Sequence, residues 1–240
     1  MMMSKRASSG GSGGTSGINI DDYLTIEALE NGLTASLSAN GCEYCIDGDG
    51  NWKTLAAKAS TESINAGQTL SFRCSSPTIG STTGIGTFTI SKKCNLKGNC
   101  MSMLFGDAGK DNFSLSGKSS CFYRLFKNCT TIYVVSSNFL PATTITTKCY
   151  GEMFYGCSNL TTAPELPALI LVTNCYHYLF YRCSKLNYIK ASFTTTPSST
   201  YTSSWVNGVA SSGTFVKNKN ATWNVTSTNG VPSGWTVIKE

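Results

Sequence analysis

The chain has 240 residues and a net charge of +6 at pH 7, a length that suffices for one or two domains with a hydrophobic core. Hydrophobic residues make up 40% of the chain and charged residues only 13%, which excludes a wholly disordered protein and favours a β-rich fold with a neutral polar surface. No apolar run approaches the ~18 residues that span a bilayer, so no membrane span is expected.

Residues 1–17 form a Gly/Ser-rich tail, MMMSKRASSGGSGGTSG, which its composition predicts to be flexible. Lys5 and Arg6 resemble the charged start of a signal peptide, but no apolar segment follows, so a secretory signal is not predicted. We interpret the tail as a segment left over from cloning, as a linker, or as a tether that becomes ordered on a partner.

Residues 18–95 contain the alternating segments TIEALE, TASLSA, EYCID, WKTLAA, LSFRC and GTFTISK, separated by turns rich in Gly and Asn. This spacing predicts a small β-sandwich or barrel, and we interpret it as a β-sandwich-like domain. The sequence DGDG at 47–50 is interpreted as a hairpin turn. A calcium loop is the alternative, but Trp52 and Lys58 stand where that loop requires Gly and Glu.

Three copies of one pattern follow: CFYRLFKNCTTI (121–132), CYGEMFYGCSNL (149–160) and CYHYLFYRCSKL (175–186), with a degenerate copy at 100–107. The copies start 28 and 26 residues apart, which predicts a short leucine-rich-repeat array over 96–193. The first Cys, the Leu or Met and the Phe of each copy stand at i, i+4 and i+5, which predicts a short helix followed by an extended segment.

A single copy cannot bury its own apolar face, so the copies are expected to stack and form a ladder of Phe, Cys and Leu. The cysteines are interpreted as small buried hydrophobic residues. Disulfides within a copy are disfavoured, because the two thiols are predicted to lie too far apart. The chain also has eleven cysteines, an odd number, so full pairing would leave at least one thiol free. The predicted repeat core comprises Cys121, Phe126, Cys129, Ile132, Cys149, Phe154, Cys157, Leu160, Cys175, Phe180, Cys183 and Leu186.

Residues 194–240 are predicted to form a C-terminal β cap. TFVK, TWNVTS and WTVI are expected to be strands, and a short helix is predicted at 205–210. Terminal repeats need caps that cover their apolar ends, and Trp205, Trp223 and Trp235 are large enough to do so. The predicted fold class is therefore α+β and β-rich, with a β-sandwich-like domain, a leucine-rich-repeat solenoid and a β cap.

A catalytic site is not predicted. His177, the one histidine, occupies a variable position of the repeat and is expected at the surface, without the partners of a catalytic triad. Cys42 and Cys45 form a C-x-x-C motif on a predicted strand rather than at the start of a helix, so a redox site is not expected. A zinc site with Cys94 and Cys100 is an alternative with unusual ligand spacing. We predict a non-enzymatic protein without cofactor or metal.

The units FYGCSNLTTAPELPA and FYRCSKLNYIKASF resemble the BspA-like leucine-rich repeats, whose hallmark is an aromatic residue, two residues, Cys, two residues and Leu. The resemblance implies a binding or structural protein displayed on a bacterial or virion surface. Because no export signal is predicted, it favours a phage structural protein, such as a head fibre, decoration or tail-associated protein of crAss-like gut phages. Such a protein is made in the host cytoplasm and located on the virion surface.

Several expectations about partners follow from this resemblance. The N-terminal segment would bind a capsid or tail protein, the repeat face would bind a host surface glycan or protein, and the chain would form a homo-oligomer, either a dimer or a trimer. The basic second half, with a net charge of +9 over residues 91–240 against −3 over residues 1–90, suits an acidic glycan or protein partner or a solubilising surface. No nucleic-acid-binding run is present.

The candidate ligand-facing residues are Thr162, Tyr188 and Lys190. They follow the last Leu of a copy by two or four residues, and aromatic and polar side chains suit sugar binding. Their alternative interpretation is ordinary solvated surface. The alternative functions are a bacterial cell-surface adhesin and a carbohydrate-targeting accessory module.

Overall fold

The computed structural model describes residues 17–75 and 77–240. The chain is β-rich with few and short helices, as the predicted fold class requires. The strands in the described residues are β1 (Leu24–Ala28), β2 (Ala35–Leu37), β3 (Cys42–Ile46), β4 (Lys53–Leu55), β5 (Thr69–Cys74), β6 (Phe88–Ile90), β7 (Cys94–Gly98), β8 (Ile132–Val135), β9 (Tyr188–Ala191), β10 (Thr214–Lys217) and β11 (Thr236–Lys239). The helices are α1 (Ser102–Phe105), α2 (Ser199–Thr202) and the 3-10 turns Ile20–Asp22, Gly106–Asp111 and Ser137–Phe139.

The strands of the first part lie where the alternating segments predict them. Each of the six predicted segments overlaps one of the strands β1 to β6. The DGDG turn connects β3 to β4, and Asp47 adopts φ 51° there, a left-handed conformation that Asp tolerates better than most residues. The Asp47 carboxylate also accepts a hydrogen bond of 2.8 Å from the backbone N–H of Thr69, which fixes the turn against β5.

One six-stranded sheet has the order β4-β3-β5-β1-β7-β8. Its strands pair antiparallel up to β7, and β7 then pairs parallel with β8. The predicted domain boundary between residues 95 and 96 falls inside β7, which bonds to β1 on one side and to β8 on the other. The hydrogen-bonded sheet therefore runs from the first part of the chain into the repeat region without interruption. A second, two-stranded pair consists of β2 and β6.

The parallel ladder continues beyond β8. Thr162 forms parallel bridges with Val134 of β8 and with Tyr188 of β9. From there β9, β10 and β11 form a parallel three-stranded sheet in the order β11-β10-β9. Parallel strands require crossover connections, and the copies of the repeat supply them.

The crossovers are not the short helices that the sequence predicts. Residues 121–128, 149–156 and 175–182 form consecutive turns, with positive φ at every fourth residue, for example 64° at Arg124, 53° at Glu152 and 51° at Tyr178. An α-helix requires φ near −63° throughout. The helix prediction for the repeats is therefore wrong.

Hydrogen bonding between copies explains this conformation. Within a copy, alternate backbone N–H groups bond to the carbonyl three residues back, as Met153 does to Tyr150 (3.2 Å). The N–H groups between them bond to the next copy, as Phe154 does to Leu179 (3.1 Å). A positive φ costs a non-glycine residue about 1–2 kcal/mol, and the bonds to the neighbouring copy offset that cost.

The first stacked segment is not the one that the sequence indicates. Backbone N–H groups of Ile85 and Phe88 donate to the carbonyls of Cys121 (2.9 Å) and Leu125 (2.8 Å), so the segment before and within β6 lies directly against the first full copy. The degenerate copy predicted at 100–107 does not have the repeat conformation. Its residues form α1, whose Ser102 hydroxyl donates to the backbone of β5.

A further stacked segment lies at 200–208. Tyr176 and Phe180 donate backbone hydrogen bonds to Tyr201 (3.1 Å) and Trp205 (2.8 Å), and Ser204 has φ 48°, like the equivalent residues of the full copies. The short helix predicted at 205–210 is wrong, because α2 ends at Thr202 and turns follow it. TFVK and WTVI overlap β10 and β11, whereas TWNVTS does not form a strand.

Side chains of the repeats form one continuous core with the first part of the chain. All twelve residues of the predicted repeat core are buried. Phe88, Phe126, Phe154 and Phe180 stack with centroid distances of 5.3, 5.6 and 5.9 Å. A second stack consists of Phe122, Tyr150 and Tyr176, and Trp205 contacts the last ring of each stack.

The second cysteine of each copy has a defined role in this core. The thiols of Cys129, Cys157 and Cys183 donate to the backbone carbonyls of Phe88, Phe126 and Phe154 at 3.2, 3.2 and 3.1 Å. A thiol is small enough for the interior and still satisfies a buried carbonyl. The cysteines of the repeats are free and buried, as the packing interpretation predicts.

Two buried tyrosines give a stability prediction. The hydroxyls of Tyr150 and Tyr176 are buried and have no hydrogen-bond partner among the described residues. The substitution Tyr150→Phe reproduces the equivalent Phe122, and we expect it to raise the free energy of unfolding by about 1 kcal/mol, since an unpaired buried hydroxyl is costly. Urea unfolding measures the change. Tyr123→Phe is the matched control and should destabilise, because that hydroxyl donates to Glu152. A loss of stability in Tyr150→Phe would contradict the prediction.

Candidate binding surface

The structure brings two of the three predicted ligand-facing residues into direct register. Thr162 and Tyr188 are paired across the parallel ladder. Lys190 lies two residues further along β9, and alternate residues of a strand share a face. All three are half-buried. The predicted residues therefore form one contiguous patch on the ladder.

The patch belongs to a longer row that crosses the ladder. Register pairs connect each member to the next, and every member is half-buried or exposed. We call it the ladder row; it consists of Val134, Thr162, Tyr188, Thr214 and Thr236. With neighbouring parallel strands spaced ~4.8 Å apart, the row offers an extended, mainly uncharged surface with one aromatic ring at its centre.

Lys190 is the charged residue of the patch, and it is already paired. Its ammonium lies 3.2 Å from the carboxylate of Glu240 and 3.5 Å from that of Glu165. The hydrogen bond to Glu240 and the charge of Glu165 raise the pKa of Lys190. A neutral ligand that contacts Tyr188 therefore meets no unpaired charge at Lys190.

A second polar cluster surrounds Glu152, which sequence reasoning missed. Its carboxylate accepts hydrogen bonds from Arg124 (3.0 and 3.1 Å), Lys127 (2.6 Å) and the Tyr123 hydroxyl. Burial alone would raise the pKa of Glu152, but these hydrogen bonds lower it to about 2. Burial and the contact with Glu152 raise the pKa of Tyr123 to about 12.

The sequence does contain a signal for this cluster. Arg124 and Glu152 occupy the same position of adjacent copies. Residues at equivalent positions of stacked repeats lie next to each other, so opposite charges there indicate an ion pair. The signal is readable only once stacking is assumed.

His177 lies beside this cluster, and the sequence predicts it at the surface, which the structure corrects. It is half-buried, and its Nδ1 atom is buried without a hydrogen-bond partner among the described residues. Burial and the charges of Lys148 and Arg124 lower the pKa of His177, against an opposing effect of Glu152. The lowered pKa favours the neutral imidazole, and its ring packs edge-on against Tyr178.

The C-x-x-C motif does not form the alternative zinc site. Cys42 of β3 is bonded to Cys74 of β5 in a disulfide, where the two residues are direct partners in the antiparallel register. A thiol in a disulfide is not a zinc ligand, so that alternative is wrong. Cys45 is a free buried thiol, and burial raises its pKa to about 11. Over residues 17–75 and 77–240, no group of three or more His, Cys, Asp and Glu residues is arranged to hold a metal ion.

No protein-family model, curated protein or solved structure matches the chain. Within the part of the chain that the structure describes, no helix is long and apolar enough to cross a bilayer.

Proposed function

We propose that the protein is a non-enzymatic structural protein of a virion, namely a head fibre, decoration or tail-associated protein, which binds a glycan or protein of the host surface. The observation that carries this proposal is the ladder row. It is an extended, solvent-accessible strip with Tyr188 at its centre and Thr162 beside it. Aromatic rings flanked by hydroxyl groups suit the apolar faces and hydroxyls of sugars.

The finer fold assignment is part of the same proposal. We interpret the stacked copies as a BspA-like leucine-rich-repeat solenoid between a β-sandwich-like domain and a C-terminal cap. The backbone bonds between copies and the thiol-to-carbonyl bonds support this interpretation, since each copy then depends on its neighbours. The burial of Trp205, Trp223 and Trp235 supports the assignment of the cap.

Attachment to the particle would use the N-terminal segment, whose residues 1–16 lie outside the described residues. Deletion of this segment should abolish binding to particles and leave the thermal unfolding of the rest unchanged. Homo-oligomer formation, as a dimer or trimer, is supported by β11. It is an edge strand with Val237 and Ile238 43% and 45% exposed, and exposed apolar edge strands favour pairing with another chain.

The location is tested by following the chain by mass spectrometry through a density gradient of its source culture. We expect it to band with virions at a fixed ratio to the major capsid protein. The disulfide between Cys42 and Cys74 favours the alternative of an exported bacterial adhesin, because disulfides persist outside the cytoplasm. Banding with cell envelopes would establish that alternative. Banding with a catalytic partner chain would instead indicate an accessory module.

Ligand binding is tested with the purified chain on host cells. Tyr188→Ala should weaken binding about tenfold, because a central aromatic anchor typically contributes that much or more. Thr89→Ala, an exposed threonine of β6 away from the ladder row, is the control and should bind like the unaltered chain. Equal binding by both variants would remove the ladder row from the proposal.

A further inference from the structure

The turn segments of successive copies carry a group of tyrosines and basic residues that the ladder row does not include. Lys127, Tyr155 and Tyr181 occupy the same position of the three copies and therefore lie one above another. Tyr178 and Arg182 lie beside them. We call these five residues the turn-face cluster.

Contacts within the turn-face cluster hold it in a fixed arrangement. The rings of Tyr155 and Tyr181 stack with centroids 4.9 Å apart, and the Lys127 ammonium lies 4.6 Å from the centre of the Tyr155 ring. Tyr178 meets Tyr181 edge-on at 5.0 Å, and the Arg182 guanidinium lies 5.3 Å from the centre of the Tyr181 ring. The three rings are half-buried. Such a group loses little further side-chain freedom when a ligand binds.

The cluster offers hydrogen-bond donors that the protein itself does not use. The hydroxyls of Tyr155, Tyr178 and Tyr181 make no hydrogen bond with described residues, and they are not among the buried unpaired groups. Arg182 is exposed and has no ion pair with a described residue. Phenol hydroxyls and a guanidinium together suit carboxylate or sulfate oxygens.

The local charge also favours an anionic ligand. The three copies contain four basic residues and a single acidic residue, Glu152. Glu152 is shared between Arg124 and Lys127, so these three residues retain one positive charge. Lys148, immediately before the second copy, has no ion pair with a described residue and lies over the Tyr123 ring at 4.0 Å.

The geometry of the cluster distinguishes between two kinds of polyanion, a nucleic acid and an acidic polysaccharide. A nucleobase needs an open aromatic face on which to stack. Here Tyr155 is covered by Lys127 on one side and Tyr181 on the other. The hydroxyls and ring edges remain accessible to a ligand, and the hydroxyls can donate hydrogen bonds to charged groups of a sugar chain.

We propose that the turn-face cluster binds an acidic polysaccharide through its tyrosine hydroxyls and Arg182, together with the positive charge of Lys148 over the Tyr123 ring. This inference names a ligand class for the proposed attachment function and rests on that function for its biological role. It concerns different side chains from the ladder row, so the two surfaces can be tested separately.

The experiment measures binding of the full chain to immobilised heparin, which is sulfated, to polygalacturonate, which is carboxylated, and to neutral dextran. We expect binding to at least one of the two acidic polymers and none to dextran. The double variant Arg182→Gln/Lys148→Gln should bind about tenfold or more weakly, since two charge-assisted contacts are lost. Lys110→Gln/Lys219→Gln removes the same charge at two exposed positions elsewhere and should stay within about twofold of the unaltered chain.

A triple variant separates directed hydrogen bonds from general attraction. Replacing Tyr155, Tyr178 and Tyr181 by Phe retains the rings and removes the hydroxyls, and it should weaken binding even at a salt concentration that screens exposed charges. Thermal unfolding checks that each variant is folded.

Several results would overturn the proposal. These are absence of binding to both acidic polymers, equal losses in the two double variants, and tighter binding to a single-stranded oligonucleotide than to either polymer. Thr89→Ala, which lies outside both the ladder row and the turn-face cluster, should leave binding to the acidic polymers unchanged. If the chain binds these polymers but does not band with virions, the attachment role on a virion fails while the site stands.

Discussion

The substitution Trp205→Ala is expected to lower the free energy of unfolding by about 3–5 kcal/mol, the range found when a large buried aromatic side chain is truncated. Trp205 is fully buried. Its ring lies within 6.2 Å, centroid to centroid, of Tyr176 and Phe180 on the repeat side and of Phe193 and Phe215 on the cap side. One ring therefore joins the end of both aromatic stacks to the C-terminal part.

A hydrogen bond adds to this effect. The indole N–H of Trp205 donates to the Gly230 carbonyl at 2.9 Å, and truncation leaves that buried carbonyl without its partner. Trp205→Phe keeps most of the ring and loses the N–H, so we expect a smaller cost of about 1–2 kcal/mol. Urea unfolding, monitored by circular dichroism, compares the two variants.

Trp52→Ala is the control for this comparison. Trp52 is half-buried and contacts Tyr23 and the Arg73 guanidinium near the start of the chain. Its truncation should cost clearly less than that of Trp205. Equal costs at the two tryptophans would show that the Trp205 ring has no special role in closing the stacks.

The substitution Glu152→Gln should destabilise the protein by about 3 kcal/mol at pH 7, and the effect should disappear in acid. The pKa of Glu152 is about 2 in the folded chain against 4.5 for an unperturbed Glu, and one pKa unit corresponds to about 1.4 kcal/mol. Because the folded-state pKa is depressed, the carboxylate stabilises the fold fully above pH 4.5. This contribution is lost as the pH falls from 4.5 through about 2.

The measurement is the difference in unfolding free energy between the unaltered chain and Glu152→Gln from pH 7 to pH 2. Glu62→Gln is the matched control, because Glu62 forms a 2.7 Å ion pair with Lys53 in which both side chains are largely exposed. Exposed pairs contribute about 0–1 kcal/mol, so its effect should be small at every pH. A difference for Glu152→Gln that does not shrink in acid would show that charge is not its cause.

The strands of the first part were predictable because a half-buried strand imposes strict alternation on its sequence. Strand β6 shows this well, since Phe88 and Ile90 are buried and Thr89 between them is exposed. The burial of Cys157 and Phe154 was also predictable, because a fixed spacing that recurs in three copies marks residues that pack alike. Both inferences depend on patterns within a short stretch of chain.

The conformation of the copies was not predictable from such patterns. The spacing of Cys149, Met153 and Phe154 fits a helix, and the residues at positive φ, such as Glu152 and Tyr178, are not residues that favour it. The conformation arises from backbone bonds to the next copy, and these are contacts between residues 25 or more positions apart. Local propensity carries no information about them.

Two further features depended on tertiary context. The segment at 200–208 has Tyr201 where other copies have Cys and Trp205 where they have Leu or Met, so its membership of the stack is visible only through its hydrogen bonds. The disulfide joins Cys42 to a residue 32 positions away. Its partner follows from the register of β3 against β5, which the spacing of the cysteines does not determine.

The bonds between copies use backbone atoms, and this has an evolutionary consequence. At the variable positions the copies differ completely, with Tyr123, Gly151 and His177 at one of them, while the backbone bonds that join the copies are the same. A whole copy is thus an exchangeable cassette of 26 or 28 residues. Recombination between related genes can lengthen the array or replace its surface chemistry in one event, provided that side-chain pairs between copies, such as Arg124 and Glu152, are exchanged together.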